Sequence, residues 1–342
     1  MREISIQKNE AGQRMDKFLA KYLNKAPKSF FYKMMRKKNI TLNGKKAVGN
    51  EQLKQGDVIK LFLAEETIEN FIDHSQFSKK KASSAKKQTA GKKVQLDTLY
   101  EDEAAVFINK PAGMLSQKAS PTDTSLVEYF IDYLLENGKI TEEELHTFHP
   151  SVCNRLDRNT SGIVAAGKTL QALQGLSEMF RDRTLKKYYL CLVKGQVKEN
   201  QRIHGYLVKN EKTNKVTVSQ KKPAEQTKDG KEASAIDTEY KVLARNKEAT
   251  LLEVHLITGK THQIRAHLAS IGHPIAGDYK YGNRSFNDAL KKEYGLRSQL
   301  LHAYRLEFPE NCEEDIKQLS GKIIKAPVPA LFERICKAQG VM

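Results

Sequence analysis

Cysteine is scarce and scattered. Cys153, Cys191, Cys312 and Cys336 include no CxxC pair, which argues against a disulfide framework and a paired-cysteine zinc site and fits reduced thiols in a cytoplasmic protein. Long apolar runs are also missing, so no segment reads as a membrane span. The opening Met1-Arg-Glu-Ile-Ser lacks the apolar stretch of a secretory signal. There is no GxGxxG turn for a dinucleotide and no second carboxylate placed as a glycosidase partner. His262 and His267 are five positions apart and do not share a helix face as HExxH ligands do. Ordinary hydrogen-bonding roles are expected for both, and no metal or cofactor is expected. No internal repeat is evident.

Acidic residues are scarce in one part of the chain only. The 342 residues carry a formal net charge of +17. Residues 1–96 hold 22 Lys/Arg against 9 Asp/Glu, whereas residues 97–342 hold 36 against 32. An excess concentrated in the first quarter points to a polyanionic partner, nucleic acid above all, with binding that weakens as salt rises. Nothing indicates an obligate protein partner, and a monomer is expected.

The length suits two domains. Arg14 to Leu23 spaces Met15, Phe18, Leu19, Tyr22 and Leu23 as one helical face. Pro27 opens a second helix with Phe30, Phe31, Met34 and Met35 as its buried stripe. Lys28, Lys33, Arg36, Lys37 and Lys38 are left to its wetter face and end. Asn43-Gly44 suits a type I′ hairpin, and Gln55-Gly56-Asp57 turns the chain into a strand, Val58 to Leu63. Residues 1–63 therefore read as a small folded module, with Arg14, Lys28, Lys33, Arg36 and Lys37 as its candidate RNA-binding surface. It resembles the alpha-L RNA-binding module of ribosomal protein S-four type, except that Asn39 stands where that module usually has Gly. Residues 64–95, with Lys79-Lys-Lys-Ala-Ser-Ser-Ala-Lys-Lys-Gln-Thr-Ala-Gly-Lys-Lys93, lack apolar surface to bury and read as a basic linker.

From residue 96 to 342 short strands alternate with helices. Strands are expected at Ala105–Ile108, Tyr188–Val193 and Leu251–Leu256, helices at Ser125–Leu135, Leu170–Phe180 and Gln263–Ile271, and a projecting hairpin or insertion over 209–233. The mixture predicts an α+β fold with a mixed, largely antiparallel sheet and flanking helices.

One segment stands out: Val152-Cys-Asn-Arg155-Leu-Asp157-Arg158-Asn-Thr160-Ser161-Gly162, followed by the apolar Ile163-Val-Ala-Ala166. A carboxylate between two guanidiniums would stay ionised if those side chains turn inward, and could serve as nucleophile or general base without a cofactor. Its downstream half, Gly162-Ile-Val-Ala-Ala-Gly167-Lys168-Thr169, matches the phosphate-loop pattern GxxxxGK(S/T) letter for letter. A phosphate loop needs a strand before its first Gly and a loop after it. Here the order is inverted, so a core strand is expected instead.

Taken together, Asn109-Lys110-Pro111-Ala-Gly113, Asn154-Arg155-Leu-Asp157-Arg-Asn-Thr-Ser-Gly162, Lys187-x-Tyr189-x-x-x-Val193-x-Gly195 and Thr258-Gly-Lys-Thr-His-Gln-Ile264-Arg265-Ala-His267 resemble the RluA family of RNA pseudouridine synthases. They stand in that family's order. His273 to Gly282 and Leu301 to Leu306 match its C-terminal pattern, and the likeness spans roughly residues 96–335. The alpha-L-like module ahead of them resembles the RluC and RluD subgroup, which acts on large-subunit ribosomal RNA.

The resemblance implies isomerisation of uridine to pseudouridine after the base is flipped out, with no cofactor. Asp157 falls on the catalytic aspartate, which either attacks covalently or removes the ribose 2′ proton. Arg155 matches the arginine that fills the vacated stack, Tyr189 the tyrosine that packs on the base, Arg265 the cation paired with the aspartate and Ile264 the apolar wall. Lys110 and Pro111 match the first motif, where a structural role is as well supported as a catalytic one. Tyr188 stands beside Tyr189. Strand alternation lets only one of them face the pocket, and the spacing to Val193 and Gly195 favours Tyr189. Asn154 replaces the usual His, so altered local hydrogen bonding is expected. The runner-up is a non-catalytic RNA-binding or ribosome-assembly factor on the same fold.

Overall fold

The computed structural model describes residues 1–7, 9–73, 95–142, 144–210, 213–223 and 233–342. At the N-terminus, β1 (Arg2–Ser5), α1 (Met15–Tyr22), α2 (Lys28–Arg36), β2 (Ile40–Leu42), β3 (Lys45–Lys46) and β4 (Val58–Leu61) build a four-stranded sheet in the order β1-β4-β2-β3. Phe18, Leu19, Phe31, Met35 and Ile59 share one apolar cluster under it. The stripe on α2 is therefore core, and its charged residues are left outside. Asn43 and Gly44 both take positive φ, as the type I′ turn requires. Lys38, rather than Asn39, takes the left-handed conformation that ends α2 (φ 60°), so the departure at Asn39 falls on a residue with no unusual backbone demand.

The expected linker starts too early. Glu65–Asn70 forms α3, and Ile68 and Ile72 are buried in the same N-terminal cluster. Phe71 packs on the same cluster, 4.7 Å from the Phe30 ring centre, and Arg2 pairs with Glu65 and Glu69, so a segment that reads as polar is tied to the N-terminal fold. The lysine-rich run Lys79–Lys93 lies outside the described residues.

The remaining elements in chain order are β5 (Thr98–Glu101), β6 (Ala105–Lys110), α4 (Leu126–Glu136), β7 (Ser151–Val152), β8 (Ser161–Gly167), α5 (Leu170–Asp182), β9 (Lys186–Lys194), β10 (Gln201–Asn210), β11 (Lys215–Ser219), β12 (Ser234–Arg245), β13 (Ala249–Leu256), α6 (Gln263–Ser270), α7 (Arg284–Tyr294), β14 (Leu301–Glu307), β15 (Ile323–Lys325) and α8 (Ala330–Ala338). Their strands form one sheet in the order β11-β10-β12-β13-β9-β14-β8-β6-β5, with β15 on β14 and β7 on β8. The β14–β8 pair is parallel, and every other pair in this sheet is antiparallel. The α+β expectation holds.

The central strands are buried on both faces, which explains their unbroken apolar sequences. Val106, Ile108, Val164 and Ala166 join the cluster that includes Phe130 and Leu134 of α4. Their neighbours Phe107, Ile163 and Ala165 join the opposite cluster with Leu176 of α5. The same alternation sends Tyr189 and Cys191 to the first face and Leu190 and Leu192 to a third cluster under α8. Helix α4 begins at a capping box, in which Ser125 and Glu128 satisfy each other's backbone groups. The expected 209–233 feature overlaps the β10–β11 hairpin, which packs through Leu207 and Val216 on Ala266 of α6, while residues 211–212 and 224–232 lie outside the described residues.

The N-terminal part touches the larger sheet's surroundings through a short polar seam. Thr147 Oγ1 donates to Glu10 Oε1 at 2.6 Å, with both residues buried, and Asn9 Nδ2 donates to Glu144 Oε1 at 3.1 Å.

Candidate active site

Asp157 lies in the turn between β7 and β8, and nearly every residue around it is anchored. Its carbonyl accepts the Thr160 N–H at 3.0 Å, closing the turn. Leu156 is held on both sides by Ser116, whose Oγ donates to the Leu156 carbonyl and accepts the Leu156 N–H, each at 3.0 Å. The Arg158 carbonyl accepts from Gly113 N (2.8 Å) and from Lys110 Nζ (3.2 Å). Lys110, at the end of β6, is fully buried and also donates to the carbonyls of Pro111 and Met114. Burial lowers its pKa to about 8, against the pull of Asp157. Lys110 thus ties the first motif to the loop that bears Asp157.

Behind the turn, Gly162 adopts φ 114°, and a Cβ there would sit 2.1 Å from the Ala303 carbonyl oxygen of β14. Only glycine allows that approach. It lets β8 and β14 pair in parallel at Ser161–His302 and Gly162–Ala303, with Ser161 Oγ 2.9 Å from His302 Nδ1. Asn154 completes the brace. Its side-chain amide donates to the Ile163 carbonyl (3.2 Å) and accepts the Ala165 N–H (2.8 Å). The residue that departs from the family's usual His therefore serves the backbone of β8 and leaves the carboxylate alone.

The cation beside Asp157 comes from elsewhere in the chain. Arg265 of α6 places Nη1 2.7 Å from Asp157 Oδ2. Its Nε and Nη2 grip Asp278 in a two-pronged contact at 2.7 and 3.0 Å. Asp278 is 1% exposed and also accepts the N–H groups of Lys280 and Tyr281. Arg265 is 8% exposed. Burial opposes its charge, but the Asp278 and Asp157 carboxylates outweigh that penalty and raise its pKa. Arg155 and Arg158, expected to polarise Asp157 if turned inward, are both exposed instead. Neither makes the contact with the carboxylate that Arg265, 108 positions downstream of Asp157, makes.

Arg155, Leu156, Asp157, Thr160, Tyr189, His262, Ile264, Arg265 and Leu301 line a single cleft. The five residues singled out from sequence, Asp157, Arg155, Tyr189, Ile264 and Arg265, thus meet in one place. Tyr189 is 8% exposed. Burial pushes its phenol pKa well up, and the Asp157 charge adds to the rise. Tyr188 points to the other face, stacked on His255 at 4.8 Å with the Arg305 guanidinium 4.0 Å from its ring centre. Asp278, Tyr281 and His262 were not singled out. His262 belongs to the Thr258–His267 motif and Asp278 and Tyr281 to the His273–Gly282 pattern, and the turn after α6 brings all three beside Arg265.

The phosphate-loop match resolves into a strand. Ser161–Gly167 is wholly buried as β8, Lys168 Nζ is bound by Glu101 (2.8 Å) and the Asp102 carbonyl (2.7 Å), and Thr169 caps α5. His267 is buried against Thr238 at 3.0 Å. Of the basic residues on the N-terminal part, Lys28, Lys33, Arg36 and Lys37 are exposed, while Arg14 is paired with Asp16 at 3.0 Å.

A loop aspartate held by an α6 arginine, with a buried tyrosine of β9 in the same cleft, is the arrangement implied by the motifs. The sequence signature of RNA pseudouridylate synthases matches residues 104–270, which span this loop, β9 and Arg265. The chain belongs to the RNA pseudouridine synthase family. It is 32% identical over 336 residues to ribosomal large subunit pseudouridine synthase C of Vibrio parahaemolyticus, covering 97% of this chain and 94% of that protein. The corresponding Vibrio vulnificus protein is 32% identical over 339 residues, covering 98% and 95%. The fold is similar to that of human RNA pseudouridylate synthase domain containing 4 (TM-score 0.54, 24% identity, 78% of this chain and 98% of that one).

Proposed function

We propose that this enzyme isomerises uridines in large-subunit ribosomal RNA, acting as a cytoplasmic monomer with Asp157 as its catalytic group. The observation that carries the reading is the Asp157 carboxylate. It is open to the cleft on one side, salt-bridged to Arg265 at 2.7 Å on the other, and faces Tyr189. An ionised carboxylate is what attack on the substrate or removal of the ribose 2′ proton requires, and the Arg265 guanidinium lies against it. The N1–C1′ bond breaks, the uracil turns, and a C5–C1′ bond forms. The proton lost from C5 is balanced by one gained at N1, so no oxidant or cofactor enters.

To reach Asp157 the uracil must leave its stack, at a cost of a few kcal/mol. Arg155, exposed at the cleft, is placed to occupy the space left behind. Tyr189 and Ile264 offer the flat base a phenol ring and an apolar wall. We further propose that the N-terminal part, with Lys28, Lys33, Arg36 and Lys37 exposed on and beside α2, anchors the RNA electrostatically.

Wild type and Asp157→Asn are to be compared on ribosomal RNA lacking pseudouridine, with pseudouridines mapped by position. Wild type is expected to form product at a small set of sites and Asp157→Asn none, with both proteins equally folded. Equal product from both would overturn the assignment.

A further inference from the structure

Beside the Asp157–Arg265 pair lies a histidine with a fixed orientation. His262 stands at the N-terminal boundary of α6 in the left-handed conformation, φ 53°. Its Nε2 points into the cleft, 3.9 Å from Asp157 Oδ2, outside hydrogen-bond range. Its Nδ1 is 2.9 Å from the Tyr281 hydroxyl, and that hydroxyl accepts the backbone N–H of Val216 in β11 at 3.0 Å.

The contacts of the Tyr281 hydroxyl favour one tautomer of His262. Val216 N–H occupies one lone pair of the Tyr281 oxygen, and the hydroxyl proton then needs an acceptor. Among the described residues His262 Nδ1 is the acceptor within reach, at 2.9 Å. An imidazole that accepts at Nδ1 carries its proton on Nε2. Burial keeps His262 below its usual pKa. Arg265 and Lys280 push the same way, while Asp157 and Asp278 oppose them. The ring is therefore neutral, with an N–H aimed at the space between itself and the carboxylate.

We propose that His262, held as the neutral Nε2–H tautomer by Tyr281, donates a hydrogen bond to a carbonyl oxygen of the flipped uracil. The proposal rests on the synthase reading above and adds a group to it. When the N1–C1′ bond breaks with its electron pair left on the base, the charge spreads over the ring nitrogens and carbonyl oxygens of the detached uracil. A fixed N–H directed at one of those oxygens stabilises the charge as it develops. Arg265 is engaged by two carboxylates, Asp157 and Asp278, and is less free to serve the base. His262 keeps its proton throughout, so the C5 and N1 protons still balance. The β10–β11 hairpin acquires a role too, because Val216 supplies the first donor of the chain.

The test combines rates with a direct reading of the tautomer. An alanine at φ 53° would be strained, whereas asparagine tolerates that backbone, so His262→Asn is the primary variant, with its fold checked by thermal melting. Single-turnover conversion of ribosomal RNA by His262→Asn is expected to be about 100-fold slower than wild type, with RNA affinity within twofold. Tyr281→Phe is expected to lose about tenfold while leaving Arg265 and Asp157 in place. Nitrogen-15 spectra of the histidine-labelled full-length protein should show His262 as Nε2–H in wild type and as a tautomer mixture in Tyr281→Phe.

A His262→Asn enzyme as fast as wild type, or a wild-type His262 protonated on Nδ1, overturns the inference. A rate loss explained wholly by weaker RNA binding overturns it as well. A wild type that forms no pseudouridine removes the synthase reading itself, an outcome distinct from an active enzyme indifferent to His262.

Discussion

At the scale of the residue, the site is a line of alternating charge: Asp157, Arg265, Asp278, running from cleft to interior. The inner carboxylate fixes where the outer one can stand. Arg265 commits two of its nitrogens to Asp278 and one to Asp157, so the planar guanidinium cannot turn without breaking the buried grip. Asp278→Asn leaves Arg265 buried with half of its compensation. Truncating one partner of such a pair costs on the order of 3 kcal/mol, and urea unfolding should show a loss of that size. Turnover should fall alongside it with RNA affinity intact, because Asp278 acts by positioning Arg265 and Asp157. Unchanged stability would mean that the Asp278 interaction is replaceable. Asp157, Tyr189 and Arg265 were legible in the sequence because each sits in a motif with fixed spacing. Asp278 and His262 stand in matched segments too, but their placement comes from a turn that folds residues 262, 265, 278 and 281 onto one another, and no short pattern encodes that closure.

At the scale of the element, β8 shows how a loop is aimed. Its sequence matched a phosphate loop, yet a strand buried on both faces is what Ile163-Val-Ala-Ala166 favours once neighbours β6 and β14 are available. The parallel β8–β14 pairing next to Gly162 is where the active-site turn gains its stiffness, and it includes a buried titratable group. His302, fully buried beside Ser161, has its pKa lowered by burial to about 4. Unfolded, the same imidazole titrates near pH ~6.5. Between those values the unfolded chain binds the extra proton, so His302 contributes stability that is complete above pH ~6.5 and is lost as pH falls toward about 4. From pH 7.5 to pH 5 this amounts to roughly 2 kcal/mol. Denaturant melts of wild type and His302→Gln across that interval isolate the contribution from other groups, and the variant should show the flatter profile. Parallel profiles would show that His302 is not charged on unfolding. The pairing itself was not legible in sequence, because the meeting of residues 161 and 302 depends on the order in which strands assemble. The strands were legible wherever apolar runs were bounded by polar turns.

At the scale of the whole molecule, charge and chemistry are segregated. The larger sheet carries the cleft, and the first 96 residues carry most of the net positive charge. The sequence made that division plain. It misplaced the end of the N-terminal fold, because α3 is short and acidic and is committed to the core by a few apolar side chains, Ile68, Phe71 and Ile72. It did not show how the two parts meet, because the seam includes isolated polar contacts, Thr147 to Glu10 and Asn9 to Glu144, that no sequence pattern marks. Such a seam matters for function only if the basic surface grips the same RNA whose uridine enters the cleft. Lys33, Arg36 and Lys37 lie on or just past the last turn of α2 with their side chains exposed, so neutralising them leaves the apolar stripe of Phe31 and Met35 untouched. Each phosphate that is no longer neutralised should reduce the slope of log affinity against log salt by on the order of 0.7 to 0.9. The triple variant Lys33→Gln, Arg36→Gln, Lys37→Gln is therefore expected to lower the slope by about 2 and to weaken RNA binding most at low salt. Conversion of saturating RNA should proceed at the wild-type rate, since the cleft is unaltered. An unchanged salt slope would place the RNA anchor elsewhere, and an unchanged slope with a slower chemical step would show that α2 communicates with the cleft through the seam.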